Sequence, residues 1–165
     1  MSIQIRPAIE NDLSSFVDII NYYIQHTAIT FDTDSYDIAS RSPWMHQFKD
    51  TGPHQCLTAL EGDEIIGYAC SAPFRPKNAY LSSVEVSVYL TPEYKGKGLG
   101  QKLYEALFQR LSAEAVHRAY ALITLPNERS ISLHSKFGFE QVGVLSDAGY
   151  KLGQYHSISL MEKQL

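Results

Sequence analysis

Apolar residues recur along this chain with a period of two in some stretches and of three to four in others, and the changes of period divide it into elements. Ile3 and Ile5 alternate with polar neighbours ahead of Arg6-Pro7, which predicts a short half-buried strand stopped by proline. Leu13, Phe16, Val17, Ile20 and Ile24 follow at helical spacing, one apolar face of a helix that Asp12 is placed to cap. Ser42-Pro43 reads as a cap and first helical position, with Trp44 and Phe48 four apart on a short second helix. Gln55 to Leu60 and Ile65 to Ser71 are β-prone runs around Glu61-Gly62-Asp63-Glu64, as in a hairpin.

From Tyr80 to Leu90 a strand sets Val84, Val86, Val88 and Leu90 on one face and Glu85, Ser87 and Tyr89 on the other. Thr91-Pro92-Glu93 ends it, and Leu99, Leu103, Leu107 and Leu111 then repeat every four residues as the stripe of a long helix. Ala119 to Leu125 reads as a buried strand, and Asn127 can cap a helix carrying Ile131, Leu133 and Phe137 that stops near Gly138. Phe139 to Leu145 and Tyr155 to Met161 complete the strands. The order β-α-α-β-β-β-α-β-α-β-β predicts an open, mixed sheet with helices.

Length and composition narrow the classes. At 165 residues with no repeat or low-complexity tract, the chain is expected to be one domain, 1–165. Apolar residues at 44% against 19% charged supply a packed core and exclude a disordered chain. Fourteen Lys and Arg against eighteen Asp and Glu leave a charge of −4, so no basic excess invites nucleic acid. No apolar run approaches the roughly 20 residues that cross a bilayer. The first dozen residues, with Arg6, Glu10 and Asp12, lack the layout of a secretory signal, so the cytoplasm is the expected location and no membrane the expectation. Cys56 and Cys70 sit in strand-like runs as buried thiols; beyond His54-x-Cys56 nothing has ligand spacing, and no metal is expected.

The strongest local signal is Gly96-Lys97-Gly98-Leu99-Gly100, between a strand and a helix, where backbone N–H groups and the helix dipole favour a phosphate or pyrophosphate. A P-loop would need glycine where Thr91 stands and a hydroxyl residue where Gly98 stands; a Rossmann fingerprint would need glycine at Gln101. Both motifs fail. Alone, the cluster would read as a tight turn that lets the helix pack closely.

The surroundings decide. Lys95-Gly96-Lys97-Gly98-Leu99-Gly100, with Lys95 at a position that usually holds Gln or Arg, resembles the pyrophosphate loop of the GNAT superfamily of N-acetyltransferases. So do Ile5-Arg6-Pro7-Ala8 with Asp12, and Asn127-Glu128-Arg129-Ser130 running to Leu133-His134 and Phe137-Gly138-Phe139. Within the superfamily the likeness is to the phosphinothricin and methionine sulfoximine acetyltransferases over nearly the whole chain. It rests on Thr30-Phe31, Ala72-Pro73-Phe74-Arg75, Asn78-Ala79-Tyr80, Val84-Glu85, Ser87-Val88-Tyr89 and Gly149-Tyr150-Lys151 with His156. This implies an α/β (α+β) fold, a central mixed and mostly antiparallel sheet flanked by helices. It also implies acetyl-CoA as co-substrate, a small-molecule amine as acceptor and a homodimer.

Acetyl transfer needs a neutral nitrogen, whereas an α-amino group, with a pKa of about 8, is largely protonated at neutral pH. The resemblance gives the base role to Glu85, directly or through a water. It gives backbone contacts with the pantetheine arm to Val88, Tyr89 and Leu90, one N–H polarising the thioester carbonyl. Gly96, Lys97, Gly98, Leu99, Gly100 and Gln101 are expected on the pyrophosphate, with Asn127 and Ser130 as further cofactor contacts. Many members place a tyrosine on the helix after the Asn motif; here His134 stands there, as a general acid or as a ring bonded to cofactor or backbone. An anionic amino-acid acceptor asks for cations and donors, for which Arg75, Lys77, Asn78 and Tyr80 are the candidates. Phe31 and Trp44 are candidate walls of the site, with core packing the alternative role for each. The rival readings are a member acting on another amine, such as a polyamine, an antibiotic or a protein terminus, and a non-catalytic acyl-CoA sensor.

Overall fold

The computed structural model describes residues 2–165. Its elements in chain order are β1 (Ile3–Pro7), α1 (Leu13–His26), α2 (Ile38–Met45), β2 (Cys56–Glu61), β3 (Glu64–Pro73), β4 (Ser83–Leu90), α3 (Leu99–Leu111), β5 (Arg118–Thr124), α4 (Glu128–Lys136), β6 (Glu140–Lys151) and β7 (Gln154–Gln164). The strands form one sheet in the order β1-β2-β3-β4-β5-β7-β6. Every neighbouring pair is antiparallel except β4 and β5.

Alternation along the strands builds two cores. On one face Ala69, Val84, Val86, Ala119 and Ala121 meet Leu99, Leu103, Leu107 and Leu111 of α3. On the other, Tyr68 and Cys70 meet Phe16, Val17 and Tyr23 of α1, with Met45 of α2. Both cysteines are free and buried. Gly67 pairs with Leu90 and leaves no room for a side chain; a Cβ there would sit 2.6 Å from Leu90 Cδ2 and 2.9 Å from the Tyr89 carbonyl oxygen.

Several boundaries differ from the sequence reading. Helix α2 begins upstream, because Asp37 caps it by accepting the Ser40 N–H at 2.7 Å; Pro43 therefore lies inside the helix and not at its first position. Trp44 still turns inward, edge-on to Phe16. Asn78 to Tyr80 form a short 3-10 turn before β4. Strands β6 and β7 are longer than their apolar runs, because they pair with each other as far as Lys151↔Gln154. The β2–β3 turn keeps only Gly62 and Asp63 outside the strands.

Asp12 does not cap α1 with its side chain. Its carboxylate accepts both Arg6 guanidinium hydrogen bonds at 2.7 and 2.8 Å, the Thr58 hydroxyl at 2.6 Å and the Ile9 N–H at 3.0 Å, tying β1, the entry to α1 and β2 together. Burial works to raise its pKa, but the hydrogen bonds from Arg6, Thr58 and Ile9 outweigh it and hold it below the ordinary 3.8. A carboxylate depressed in the folded state stabilises above its unfolded pKa and loses that contribution as pH falls through the folded one. Asp12→Asn is expected to lower stability at pH 7 by about 2–4 kcal/mol, from loss of charge-assisted hydrogen bonds in a buried site. Urea titrations of the two proteins check this, and their difference should shrink as pH falls below 3.8.

Candidate active site

Strands β4 and β5 are hydrogen-bonded in register only at Ser83↔Arg118, Val84↔Ala119 and Glu85↔Tyr120, and then part. The opening between them is an inner cleft of about 60 Å³, lined by Val86, Ser87, Val88 and Tyr89 on one side and Ala121 to Thr124 on the other, with Tyr104 and His134 among its walls. It adjoins a groove of about 630 Å³, and Ile29, Val88, Asn127 and Ser130 line both.

The direction of the β4 backbone follows from its pairing with β3. The Thr91 N–H donates to the Ile66 carbonyl, so residues 89, 87 and 85, at alternate positions, spend their N–H and C=O groups on β3. Those of Val86, Val88 and Leu90 point across the gap. The Leu90 carbonyl accepts the Tyr23 hydroxyl at 2.6 Å. Val88 thus keeps its N–H free for a ligand, whereas Tyr89, expected to give a backbone contact, spends its N–H and C=O on β3, although it too lines the cleft.

The glycine loop delivers the next part. Gly96 and Gly98 have φ of +77° and +78°, a left-handed backbone that L side chains rarely adopt, and Gly98 is the N-cap of α3. The first amides of the helix therefore open onto the groove unpaired. Gly96, Gly98, Leu99, Gly100 and Gln101 all line it, whereas the Lys97 ammonium turns away onto the Tyr94 ring at 4.9 Å. Gly100 lets Val88, Leu90 and Leu133 close around the helix start.

Across the groove Asn127 Oδ1 accepts the Ser130 N–H at 3.1 Å, so its side chain caps α4 while lining the groove. Three cations not among the expected contact residues, Lys95 of the glycine-loop motif, Arg129 of the Asn127 motif and Lys136, also line it. Lys95 Nζ lies 4.6 Å from the Tyr23 ring centroid, and burial followed by Arg129 lowers its pKa. Arg129 stands over Gly96, where a Cβ would meet its guanidinium at 3.8 Å. Lys95, Arg129 and a helix N-terminus facing one space suit a polyanion such as a pyrophosphate. The position of Arg129 in the first turn of α4, beside Asn127, was the available signal.

His134 is buried with both ring nitrogens engaged. Nδ1–H donates to the Ser130 carbonyl at 2.7 Å, which leaves Nε2 to accept the Tyr104 hydroxyl at 3.0 Å. Burial lowers its pKa, outweighing the Ser130 bond. As a general acid it would need a second proton that its surroundings oppose. The geometry fits the other role, a ring fixed by hydrogen bonds at the wall of the cleft. Tyr104, fully buried in the α3 stripe, was not a sequence candidate.

Glu85 occupies the last paired position before the strands part, and its side chain is turned away from the valine face. Burial raises its pKa, and Arg75 pulls it partly back. The Arg75 guanidinium lies over the Phe74 ring at 4.4 Å; Phe74 stacks on Tyr120, the cross-strand neighbour of Glu85, and Tyr80 packs edge-on to Phe74. Arg75 and Tyr80 are thus brought to the Glu85 side of the sheet. Lys77 and Asn78 are exposed in the turn before β4. Phe31 packs instead on Gly149 and near His156, at the far hairpin, and Trp44 is in the α1–α2 core. Among the described residues no three His, Cys, Asp or Glu side chains converge as a metal site requires.

An amide-lined polyanion groove that runs into a parted pair of strands beside a half-buried carboxylate is an arrangement for acyl transfer from a phosphate-bearing carrier. Residues 20–139 match the Acetyltransferase (GNAT) family, so the chain belongs to that family and is an N-acetyltransferase. It is 44% identical to phosphinothricin N-acetyltransferase of Streptomyces coelicolor over 165 residues, 99% of this chain and 96% of the relative. It is 32% identical to the L-methionine sulfoximine/L-methionine sulfone acetyltransferase of Pseudomonas paraeruginosa, over 100% of this chain and 96% of that one. The GNAT superfamily phosphinothricin acetyltransferase of Sinorhizobium meliloti, solved in complex with AcCoA, superposes with a TM-score of 0.93 at 30% identity, covering 100% of this chain and 89% of that one. The fold implied by the sequence resemblance stands.

The His134 ring should stay neutral at pH 7, with a titration midpoint below the ordinary 6.5. Ring 15N chemical shifts across a pH series check this, and Tyr104→Phe, which leaves Nε2 without its donor, should cost about 1–3 kcal/mol of stability.

Proposed function

We propose that this enzyme transfers the acetyl group of acetyl-CoA to the α-amino group of a small amino-acid analogue such as phosphinothricin or methionine sulfoximine. The observation that carries the reading is the half-buried Glu85 at the point where β4 leaves β5, with the Val88 N–H and the glycine cradle on the groove side and Arg75 on the other. The names of the similar acetyltransferases support the acceptor class.

In this reading the α3 amides of Leu99 to Gln101, with Lys95 and Arg129, hold the pyrophosphate. Gly96, Gly98, Asn127 and Ser130 shape the groove, and Lys97 contributes at most at its rim. The pantetheine arm follows Val88 and Leu90 to the cleft, where the Val88 N–H polarises the thioester carbonyl. Glu85 takes the proton of the acceptor ammonium, directly or through a water, and the freed nitrogen attacks the carbonyl carbon. The C–S bond breaks as the second amine proton passes to the departing CoA sulfur, directly or through a water, so that the neutral amide and CoA thiol result, and His134 with Tyr104 keeps the cleft wall in place. Arg75 and Tyr80, with Lys77 and Asn78 from the adjoining turn, meet the anionic groups of the acceptor.

The whole chain is read as one acetyltransferase domain acting in the cytoplasm as a homodimer. Edge strand β6 supports assembly, with Val142, Val144 and Leu145 about half exposed along it. Among the described residues no helix is long and apolar enough to cross a membrane.

The deciding experiment is CoA release with acetyl-CoA against phosphinothricin, methionine sulfoximine, ordinary amino acids, a polyamine and an aminoglycoside. Turnover confined to the first two is expected. Turnover only on a polyamine or aminoglycoside would overturn the acceptor class, and silence on all would favour a sensor. Glu85→Gln should lower kcat by about 100-fold or more with acetyl-CoA binding unchanged. Because a base must be deprotonated and Glu85 is raised, the acid limb of kcat/KM should lie above the ordinary 4.5 of glutamate and vanish in the Gln variant.

A further inference from the structure

The connection between α1 and α2 runs from Thr27 to Asp37 without regular structure and carries Ile29 into the lining of both groove and cleft. Its ends are tied to α1. Thr27 Oγ1 donates to the Tyr23 carbonyl at 2.8 Å, and Asn21 exchanges two hydrogen bonds with the Tyr36 backbone at 2.8 and 2.9 Å. The middle of the connection, Ile29 to Phe31, is anchored elsewhere, on the far hairpin of β6 and β7. There the buried Lys151 ammonium donates to the Thr30 carbonyl at 2.7 Å. The Phe31 ring lies directly on Gly149, where any Cβ would meet Phe31 Cδ2 at 2.6 Å and Cζ at 2.7 Å. His156 Nε2 in turn donates to the Lys151 carbonyl at 3.0 Å, fixing the hairpin turn from inside.

This arrangement is more than packing. A buried ammonium is costly unless its hydrogen bonds are satisfied, and an apolar side chain of similar length could not replace the bond that Lys151 makes. Here its partner is a main-chain carbonyl one residue from Ile29, and the Thr30 side chain lies against the Tyr89 hydroxyl of β4. Gly149 has an ordinary backbone φ, so glycine is required there for space alone, and the space is filled by Phe31. Gly149, Lys151 and His156 are also residues on which the sequence resemblance rests but to which the catalytic reading gives no work.

We propose that Lys151 and Gly149 are positioning residues, a latch through which the β6–β7 hairpin holds Ile29 and Thr30 at the junction of groove and cleft and so sets the seat of the acceptor amine. The seat rests on the acceptor reading above; the latch itself does not. The test compares wild type, Lys151→Met and Gly149→Ala in three measurements: steady-state kinetics with phosphinothricin, acetyl-CoA affinity by calorimetry, and amide hydrogen exchange. The expected result for either variant is an acceptor KM raised about tenfold, acetyl-CoA affinity held within about threefold, and amides 29–32 exchanging about tenfold faster. Unchanged KM and unchanged exchange at 29–32 in both variants would overturn the proposal. So would an equal loss of acetyl-CoA affinity with faster exchange throughout β6 and β7, which marks a merely structural role. If wild type acetylates none of the amino-acid analogues, the acceptor reading fails, and exchange at 29–32 decides the latch by itself, faster supporting it and unchanged overturning it.

Discussion

The site depends on a ladder that stops. Strands β4 and β5 run parallel and pair at three positions, and from Val86 onward the sheet is open along its middle. An open seam in a sheet leaves backbone donors and acceptors without partners, and folded proteins rarely leave such groups buried and unused. Here they are used. Leu90 gives its carbonyl to Tyr23, while the Val88 N–H faces a space the size of a ligand. The seam stays apart because side chains occupy its flank: Tyr104 and His134 are both buried, hydrogen-bonded to each other and packed edge-on. An active site has been placed where the strand pairing would otherwise have continued.

Because the seam cuts through the sheet, it joins two faces of different chemistry. The α3–α4 side presents amides and cations and accepts a polyanion; the opposite side presents Glu85, Ser87 and Tyr89 beneath α1 and the connection to α2. A carrier and an acceptor can therefore approach from opposite sides and meet at the seam without sharing a channel. Separation has an electrostatic benefit as well. Lys95 and Arg129 stand on the groove side, and Arg75 is the cation that acts on Glu85, which keeps a raised pKa despite a strongly cationic groove.

Much of this was legible in the chain. The leucine stripe from Leu99 to Leu111, the valine face of β4 and the Asn127 cap each follow from a local rule, and the glycine loop announced an anion site by its place between strand and helix. What was illegible depends on pairing or on distance. Whether Val88 or Tyr89 turns its amide to the cleft is set by the register with β3, which alternation of side chains does not reveal. Tyr104 hides among leucines, and its partner His134 lies 30 residues away. Lys151 reaches Thr30 across 121 residues. Pro43 misled for a local reason, since Asp37 and Ser40 had already made a cap upstream.

The position of Arg75 bears on how the base is tuned. An isolated half-buried carboxyl is raised by desolvation, and the guanidinium beside it restrains that rise. In the proposed reading, an acceptor whose carboxylate or second anionic group pairs with Arg75 would cancel the restraint, and Glu85 would become more basic once the amine is in place. A cationic acceptor has the opposite effect, repelling Arg75 and lowering the affinity of Glu85 for a proton. In the proposed reading the same two residues would discriminate among acceptors twice, once by attraction at the pocket and once by the strength of the base, because Arg75 is the cation that acts on Glu85.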